Sequence, residues 1–99
     1  MTINIDQDHY NASPEMVAFV EKKVGKLGNF FERIVQADII LKELTDQGRE
    51  KYEAAARLNV PNDTLFAKSN DESMEAAVDD MVRALERQIK KYKEKMRSY

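Results

Sequence analysis

Residues 52–69 read YEAAARLNVPNDTLFAKS, and the fold class depends on whether they form a helix or two strands. Its alanines alone would suit a helix, but residues 60–63 (VPND) in the middle have the composition of a tight turn. Before that turn, apolar positions alternate with polar ones, as in a strand with one face buried. These apolar positions are Tyr52, Ala54, Ala56 and Leu58. We therefore predict a strand on each side of the turn, the second over residues 64–69.

Two further strands are predicted towards the N-terminus. Residues 33–44 alternate in the same way, and residues 45–48 (TDQG) form a turn that leads to the strand at residue 52. The apolar members of this alternation are Val35, Ala37, Ile39 and Leu41. Residues 2–7 predict a short first strand, in which Ile3 and Ile5 share a face. Strands two to four then form an antiparallel meander.

A first amphipathic helix is predicted between the first two strands. Ser13 is a good N-cap, Pro14 suits the first helical position, and Gly28 followed by Asn29 supplies a stop. Apolar residues recur every three or four positions between these signals, which is typical of a helix with one buried face. The stripe comprises Met16, Val17, Val20, Val24 and Leu27, with Phe31 as a further candidate.

A second, longer amphipathic helix is predicted from residues 70–73 to about Arg97. Its apolar stripe comprises Met74, Val78, Met81, Leu85, Ile89, Tyr92 and Met96. At 1.5 Å per residue, roughly 25 residues extend about 38 Å, which is more than a four-stranded sheet covers. We therefore expect the C-terminal end of this helix to project beyond the sheet.

The predicted order β-α-β-β-β-α belongs to the α+β class. A four-stranded sheet with two helices packed on one face would bury both helix stripes and the apolar face of the sheet. We expect Val20 and Val24 of the first helix to meet Leu85 and Ile89 of the second over that sheet. A chain of 99 residues suits one domain, over residues 1–99.

Composition excludes several classes of protein. The chain has no cysteine, which excludes disulfides, thiolate metal sites and thiol nucleophiles. No stretch approaches the roughly 20 apolar residues of a membrane span, and the N-terminus lacks the pattern of a signal peptide. We expect a cytoplasmic protein with no membrane partner.

The net charge of −2 hides a strong asymmetry along the chain. Residues 83–99 carry seven basic and two acidic residues, whereas residues 1–82 carry nine basic and sixteen acidic ones. At 100° per residue, Arg83, Arg87, Lys90 and Arg97 lie roughly opposite Leu85. Lys91 flanks them, and Lys93 and Lys95 lie nearer the core edges.

The result is a predicted cationic ridge of the kind that follows a phosphate backbone. The alternative is a solvated helix end whose basic residues suit the helix dipole. Lys22, Lys23 and Lys26 would extend the ridge if the two helices lie side by side. Four aromatic residues could stack on unpaired bases. We expect Phe31 and Tyr92 to pack instead, and leave Phe30 and Tyr99 open.

Nothing in the sequence indicates catalysis. His9 is the only histidine and lies in a predicted loop without a nucleophile motif. Residues 6–8 begin like a calcium loop, but Tyr10 and Asn11 occupy positions that need an oxygen ligand and glycine. The Asp79-Asp80 pair is expected on an exposed, solvated face. We predict a protein that is not an enzyme and uses no cofactor, metal or small-molecule substrate.

Residues 13–27 and 30–34 resemble the first helix and following turn of the ribosome hibernation-promoting factors and ribosome-associated inhibitors. Residues 73–79 and 85–95 are similar to the closing helix of that family, in which an Arg-Gln pair, here Arg87-Gln88, precedes spaced lysines. The resemblance covers nearly the whole chain. It implies the same β-α-β-β-β-α fold, which is itself similar to double-stranded-RNA-binding domains.

The resemblance also implies a function. Such a protein would bind 16S rRNA in the mRNA and tRNA channel of the small (30S) ribosomal subunit and inhibit translation in stationary phase or stress. Two positions depart from the family pattern, since Glu75 stands where tyrosine is common and Ala84 where lysine is common. By matching position, the rRNA contacts would be Lys22, Lys23, Lys26, Arg87, Lys90, Lys91, Lys93 and Lys95, with Arg83 added on geometry alone.

Two matters stay open at this level. The chain resembles the short type, without the C-terminal dimerisation domain of long members, and a separate ribosome-dimerising factor remains a candidate partner. Whether such a protein pairs ribosomes or only silences single ones is not decided. The alternative function is a protein-protein interaction module with an acidic body and a basic helix end.

Overall fold

A computed structural model describes residues 1–44 and 51–97. In these ranges the elements are β1 Thr2–Asp8, α1 Pro14–Gly25, α2 Leu27–Phe30, β2 Gln36–Glu43, β3 Tyr52–Val60, β4 Asp63–Asp71 and α3 Met74–Arg97. The predicted α+β order is confirmed, with the single turn α2 added after α1. The predicted turn at residues 45–48, the side chain of Arg97 and Tyr99 lie outside the described residues.

The four strands form one mixed sheet in the order β1-β2-β3-β4. β1 pairs with β2 in parallel, so α1 and α2 form the crossover between them. β2, β3 and β4 form the predicted antiparallel meander. Val60 pairs with Asp63 across the β3–β4 turn, and Asn62 adopts a positive φ of 64° there. Asparagine tolerates this backbone region, so residues 60–63 can form the tight turn that separates β3 from β4.

Both long helices begin where the sequence predicts. The Ser13 hydroxyl accepts a hydrogen bond from the Met16 amide at 3.1 Å, and Ser73 does the same for Ala76 at 3.1 Å. The first helix, however, does not run unbroken to Gly28. It ends at Gly25, and a separate turn starts at Leu27, because two glycines within four residues weaken the helix here.

One apolar core lies between the sheet and the helices. Val20, Val24, Leu85 and Ile89 all belong to the same buried cluster, as predicted. It also contains inward-facing residues of the sheet, namely Ala37, Ile39, Leu41, Ala54, Ala56 and Leu58. On the opposite face Ile40 and Phe66 are exposed, and no helix of residues 1–44 and 51–97 covers them.

Two predicted core positions are wrong. Val35 is 63% exposed because β2 starts only at Gln36, and Ile34, at 3% exposure, enters the core instead. Met96 is 37% exposed because it lies on the last turn of α3, near the end of the helix. The C-terminal end of α3 is thus solvated, as its predicted projection requires.

Candidate nucleic-acid interface

Helix α3 presents a row of cations to solvent. Leu85 and Ile89 turn one side of the helix into the core, so Arg87, which lies between them, points outwards. The exposed members of the predicted ridge are Arg83, Arg87, Lys90, Lys91 and Lys95. Lys93 is half-buried, in agreement with its predicted position near the core edge. The same prediction is wrong for Lys95, which is exposed near the end of α3.

Two contacts, one from α1 and one from α2, hold these helices alongside α3. The ammonium of Lys23 lies 3.2 Å from the carboxylate of Asp79, and the ammonium of Lys93 donates a hydrogen bond to the carbonyl oxygen of Phe30 at 2.9 Å. The chain therefore runs from α1 through Lys26 to α2 in the same direction as α3. The side-by-side arrangement that would extend the ridge is present.

The cations of this surface differ in their pairing. Lys23 contacts Asp79, and Arg83 lies 3.5 Å from Asp80 on the next turn of α3. The prediction that the two aspartates are simply solvated is therefore wrong, because each is half-buried and paired with a base. Within residues 1–44 and 51–97, no ion pair involves Lys22, Lys26, Arg87, Lys90, Lys91 or Lys95.

A cavity of about 520 Å³ opens between α2 and the basic half of α3. Phe30 forms part of its wall and is 52% exposed, although its neighbour Phe31 packs on the core. Ile89 contributes an apolar surface to the cavity. The charged residues around it are Arg83, Glu86, Arg87, Lys90, Lys93 and Glu94.

Phe31 and Tyr92 pack against each other, as predicted. Their ring centroids lie 5.4 Å apart at 72°, an edge-to-face contact. The Tyr92 hydroxyl donates a hydrogen bond to the carbonyl oxygen of Pro61 in the β3–β4 turn. These contacts fix the C-terminal half of α3 on the sheet, and they leave Phe30 outside the core.

The sequence of residues 3–97 matches the family model described as Sigma 54 modulation protein / S30EA ribosomal protein. The chain belongs to this family. Among curated relatives of this S30EA family member, the ribosome hibernation promoting factor of Klebsiella oxytoca is 35% identical over 101 residues and covers 100% of both chains. That of Pseudomonas putida is 31% identical over 98 residues, with coverage of 99% and 92%.

A solved structure gives the same result for the fold of the S30EA family. The ribosomal subunit interface protein of Coxiella burnetii superposes with a TM-score of 0.83 at 26% sequence identity. The superposition covers 94% of the present chain and 98% of the other. The four-stranded sheet and its helical layer are thus shared with a protein named for the ribosome.

Gln88, in the basic half of α3, has a structural role that the sequence did not predict. The Gln88 side chain donates to the carbonyl oxygen of Phe66 and accepts from the Phe66 amide at 3.3 Å. Phe66 lies on the edge strand β4, whose outward backbone groups would otherwise face solvent. An uncharged residue inside a basic run was the available signal, but it does not reveal this partner.

The described residues offer little for catalysis. His9 is exposed and lies 3.5 Å from Asp8. Residues 1–44 and 51–97 contain no cluster of three or more side chains suited to hold a metal ion. In the same ranges, no helix has the length and apolar character needed to cross a membrane. The charge and exposure of the surface along α3 suit the binding of a polyanion.

Proposed function

We propose that this protein is a ribosome hibernation factor. It binds 16S rRNA in the mRNA and tRNA channel of the small (30S) ribosomal subunit and inhibits translation in stationary phase or stress. Membership of a family whose relatives are named ribosome hibernation promoting factors supports a ribosome-associated, translation-inhibiting role. The proposed role needs no reaction and no cofactor, and it is exerted in the cytoplasm.

One observation carries the RNA part of this proposal. Arg87, Lys90 and Lys91 are exposed on a rigid helix, and within the described residues none of them is neutralised by a carboxylate. RNA phosphates are the complementary charge, and neutralising each of them releases counterions without any need for base sequence. The acidic part of the chain does not cancel this attraction, because exposed charges act within a Debye length of about 10 Å.

The shape of the molecule supports inhibition by occupation of a channel. Its extents are 47 × 24 × 17 Å, and α3, with 24 residues, runs along much of the longest one. A body of this length that binds rRNA through one side excludes other ligands from the same space. Messenger and transfer RNA then cannot bind, so translation stops without any chemical step.

Competition between ligands tests this function directly. We would measure binding of the protein to purified small subunits, and to small subunits already loaded with messenger and transfer RNA. The protein is expected to bind only the vacant subunits. A variant with Arg87, Lys90 and Lys91 all changed to glutamine should fold normally, bind vacant subunits weakly and lose inhibition of translation in a purified system.

A matched triple variant on the other side of the molecule is the control. Lys42, Arg57 and Lys68 lie on the open face of the sheet, and changing all three to glutamine removes the same charge. This variant should bind and inhibit as the parent does. Equal binding of the parent to vacant and loaded subunits would contradict the channel mechanism. Absence of the protein from ribosomal particles in a stationary-phase sucrose gradient would favour the protein-interaction module.

A further inference from the structure

The cavity between α2 and α3 is a second feature of the cationic surface, distinct from phosphate contact. We propose that it is a binding site for one unpaired RNA nucleotide, with the base stacked on the ring of Phe30 and the flanking phosphates held by Arg87 and Lys90. This inference rests on the proposed function, because it assigns a particular contact with RNA. It adds an aromatic residue to a surface otherwise described only by its charge.

The position of Phe30 is fixed by its surroundings. Its carbonyl oxygen accepts the hydrogen bond from Lys93 at 2.9 Å, and the following residue, Phe31, is locked against Tyr92. The half-exposed ring therefore stands at the edge of a cavity of about 520 Å³. Ligand sites commonly fall between roughly 300 and 1,000 Å³, so the space is adequate for a nucleotide.

The charges around the cavity match an anionic ligand. Four basic residues line it, against two acidic ones, Glu86 and Glu94. Arg83 is already paired with Asp80, whereas Arg87 and Lys90 have no carboxylate partner within the described residues. At a rise of about 1.5 Å per residue, Arg83 to Lys90 span about 10 Å of the helix. The cations thus follow the wall of the cavity, beside the aromatic ring.

A comparable ring elsewhere lacks these charges. Phe66 is 54% exposed on the open face of the sheet, and the cavity beside it measures about 270 Å³. Asp6 and Asp38 line that cavity with a single base, Arg57, so phosphates are repelled there. The two rings have nearly equal exposure and opposite electrostatic surroundings, which makes Phe66 the internal control for Phe30.

An unpaired nucleotide is the form of RNA that fits. A base within a duplex is stacked on its neighbours on both sides, whereas an unpaired base can stack on an aromatic side chain.

Lys93 acts here as a positioning residue, because its ammonium donates a hydrogen bond to the carbonyl oxygen of Phe30, the last residue of α2.

The test measures affinity for purified small subunits at several salt concentrations. Phe30→Ala should lower affinity about 5- to 150-fold, the usual range for loss of one stacked base. Its log-log salt dependence should equal that of the parent, since the ring neutralises no phosphate. Phe30→Tyr should bind like the parent, Phe30→Leu like the alanine variant, and Phe66→Ala like the parent. Thermal melts of all variants establish that each is folded.

A second probe separates this inference from the function on which it rests. The fluorescence of 2-aminopurine in a short single-stranded RNA should fall on binding to the parent and should not fall with Phe30→Ala. If the parent quenches this probe but does not bind small subunits, the proposed function fails and the stacking site stands. If the parent binds subunits and Phe30→Ala does so equally well, the stacking site is wrong. The stacking site would also be wrong if Phe30→Leu bound small subunits as tightly as the parent does. A contact that leucine can replace is apolar rather than aromatic, and it would suit an apolar side chain of an acidic peptide instead of a base.

Discussion

The helical face and the open face of the sheet carry the same types of residue but pair their charges differently. Each has one half-exposed phenylalanine and several basic side chains. On the sheet, Lys42 lies 3.7 Å from Asp8 and Lys68 lies 3.3 Å from Glu53. On the basic half of α3, Arg87 and Lys90 meet no such partner among the described residues.

This difference shows that the number of cations on a surface is a poor guide to its function. Strand pairing brings acids and bases within contact distance across the sheet, as at the diagonal neighbours Glu53 of β3 and Lys68 of β4. On α3, residues 83–97 carry seven bases and two acids, so there are too few acids nearby to neutralise the bases. The charge excess that the proposed binding of a polyanion requires therefore lies on the helical face, although both faces carry basic residues.

The largest expected effect concerns which face of the sheet is covered. Leu85 of α3 is fully buried in the core between the helix and the sheet. Leu85→Ala should therefore lower the free energy of unfolding by about 2 to 5 kcal/mol. Ile40 lies on the open face at 44% exposure, and Ile40→Ala should cost about 1 kcal/mol or less. Denaturant melts measure both values. Equal losses in the two variants would mean that the open face is packed as the helical face is.

A smaller effect concerns the proposed phosphate contacts of the helical face, for which the sheet face is the control. Each phosphate neutralised contributes about 0.7 to 0.9 to the log-log dependence of affinity on salt. Changing Arg87, Lys90 and Lys91 to glutamine should therefore reduce this dependence by about 2 to 3. Between roughly 50 and 200 mM salt, the parent should then lose about 20- to 40-fold more affinity for small subunits than the variant does. The sheet triple of Lys42, Arg57 and Lys68 should keep the parental dependence. A parent with little salt dependence would remove the electrostatic basis of the proposal.

The smallest effect concerns the internal balance of charge on the sheet. The hydrogen bond from the Gln36 amide at 2.8 Å, and then that from Asn4 at 3.1 Å, lower the pKa of Asp38 below its ordinary value. The ionised carboxylate is thus favoured in the folded state. Its contribution to stability is present above the ordinary aspartate pKa of about 3.9 and is lost as pH falls through the lowered pKa of the folded protein.

Asp38→Asn should therefore be less stable than the parent near neutral pH, with a difference that disappears in strong acid. Denaturant melts from neutral pH down to about pH 2 measure it. Asp6→Asn is the matched control, because within the described residues Asp6 lies on the same face and makes no hydrogen bond through its side chain. A constant difference across the pH range would show that the charge of Asp38 is not stabilised by Gln36 and Asn4.

Much of the fold follows from local signals in the sequence. The caps at Ser13 and Ser73 start the helices where predicted, and the turn at residues 60–63 separates β3 from β4. Val35 is the clear failure, because an alternating pattern does not reveal at which residue a strand begins to face the core. For the candidate site, sequence predicted the exposure of Arg87, Lys90 and Lys91, and their contact with RNA stays a prediction.

Three features can be read from the amino-acid sequence, because each depends on neighbours within a few positions. They are the order of the elements apart from α2, the buried stripe of each long helix apart from Met96, and the concentration of basic residues after Val82. The tertiary structure decided that Lys23 meets Asp79, that Gln88 covers the edge of β4 at Phe66, and that Phe30 rather than Phe31 faces the cavity. These outcomes join residues far apart in the chain. They depend on how α1 and α2 pack along α3, and no local pattern of apolar and charged residues specifies that packing.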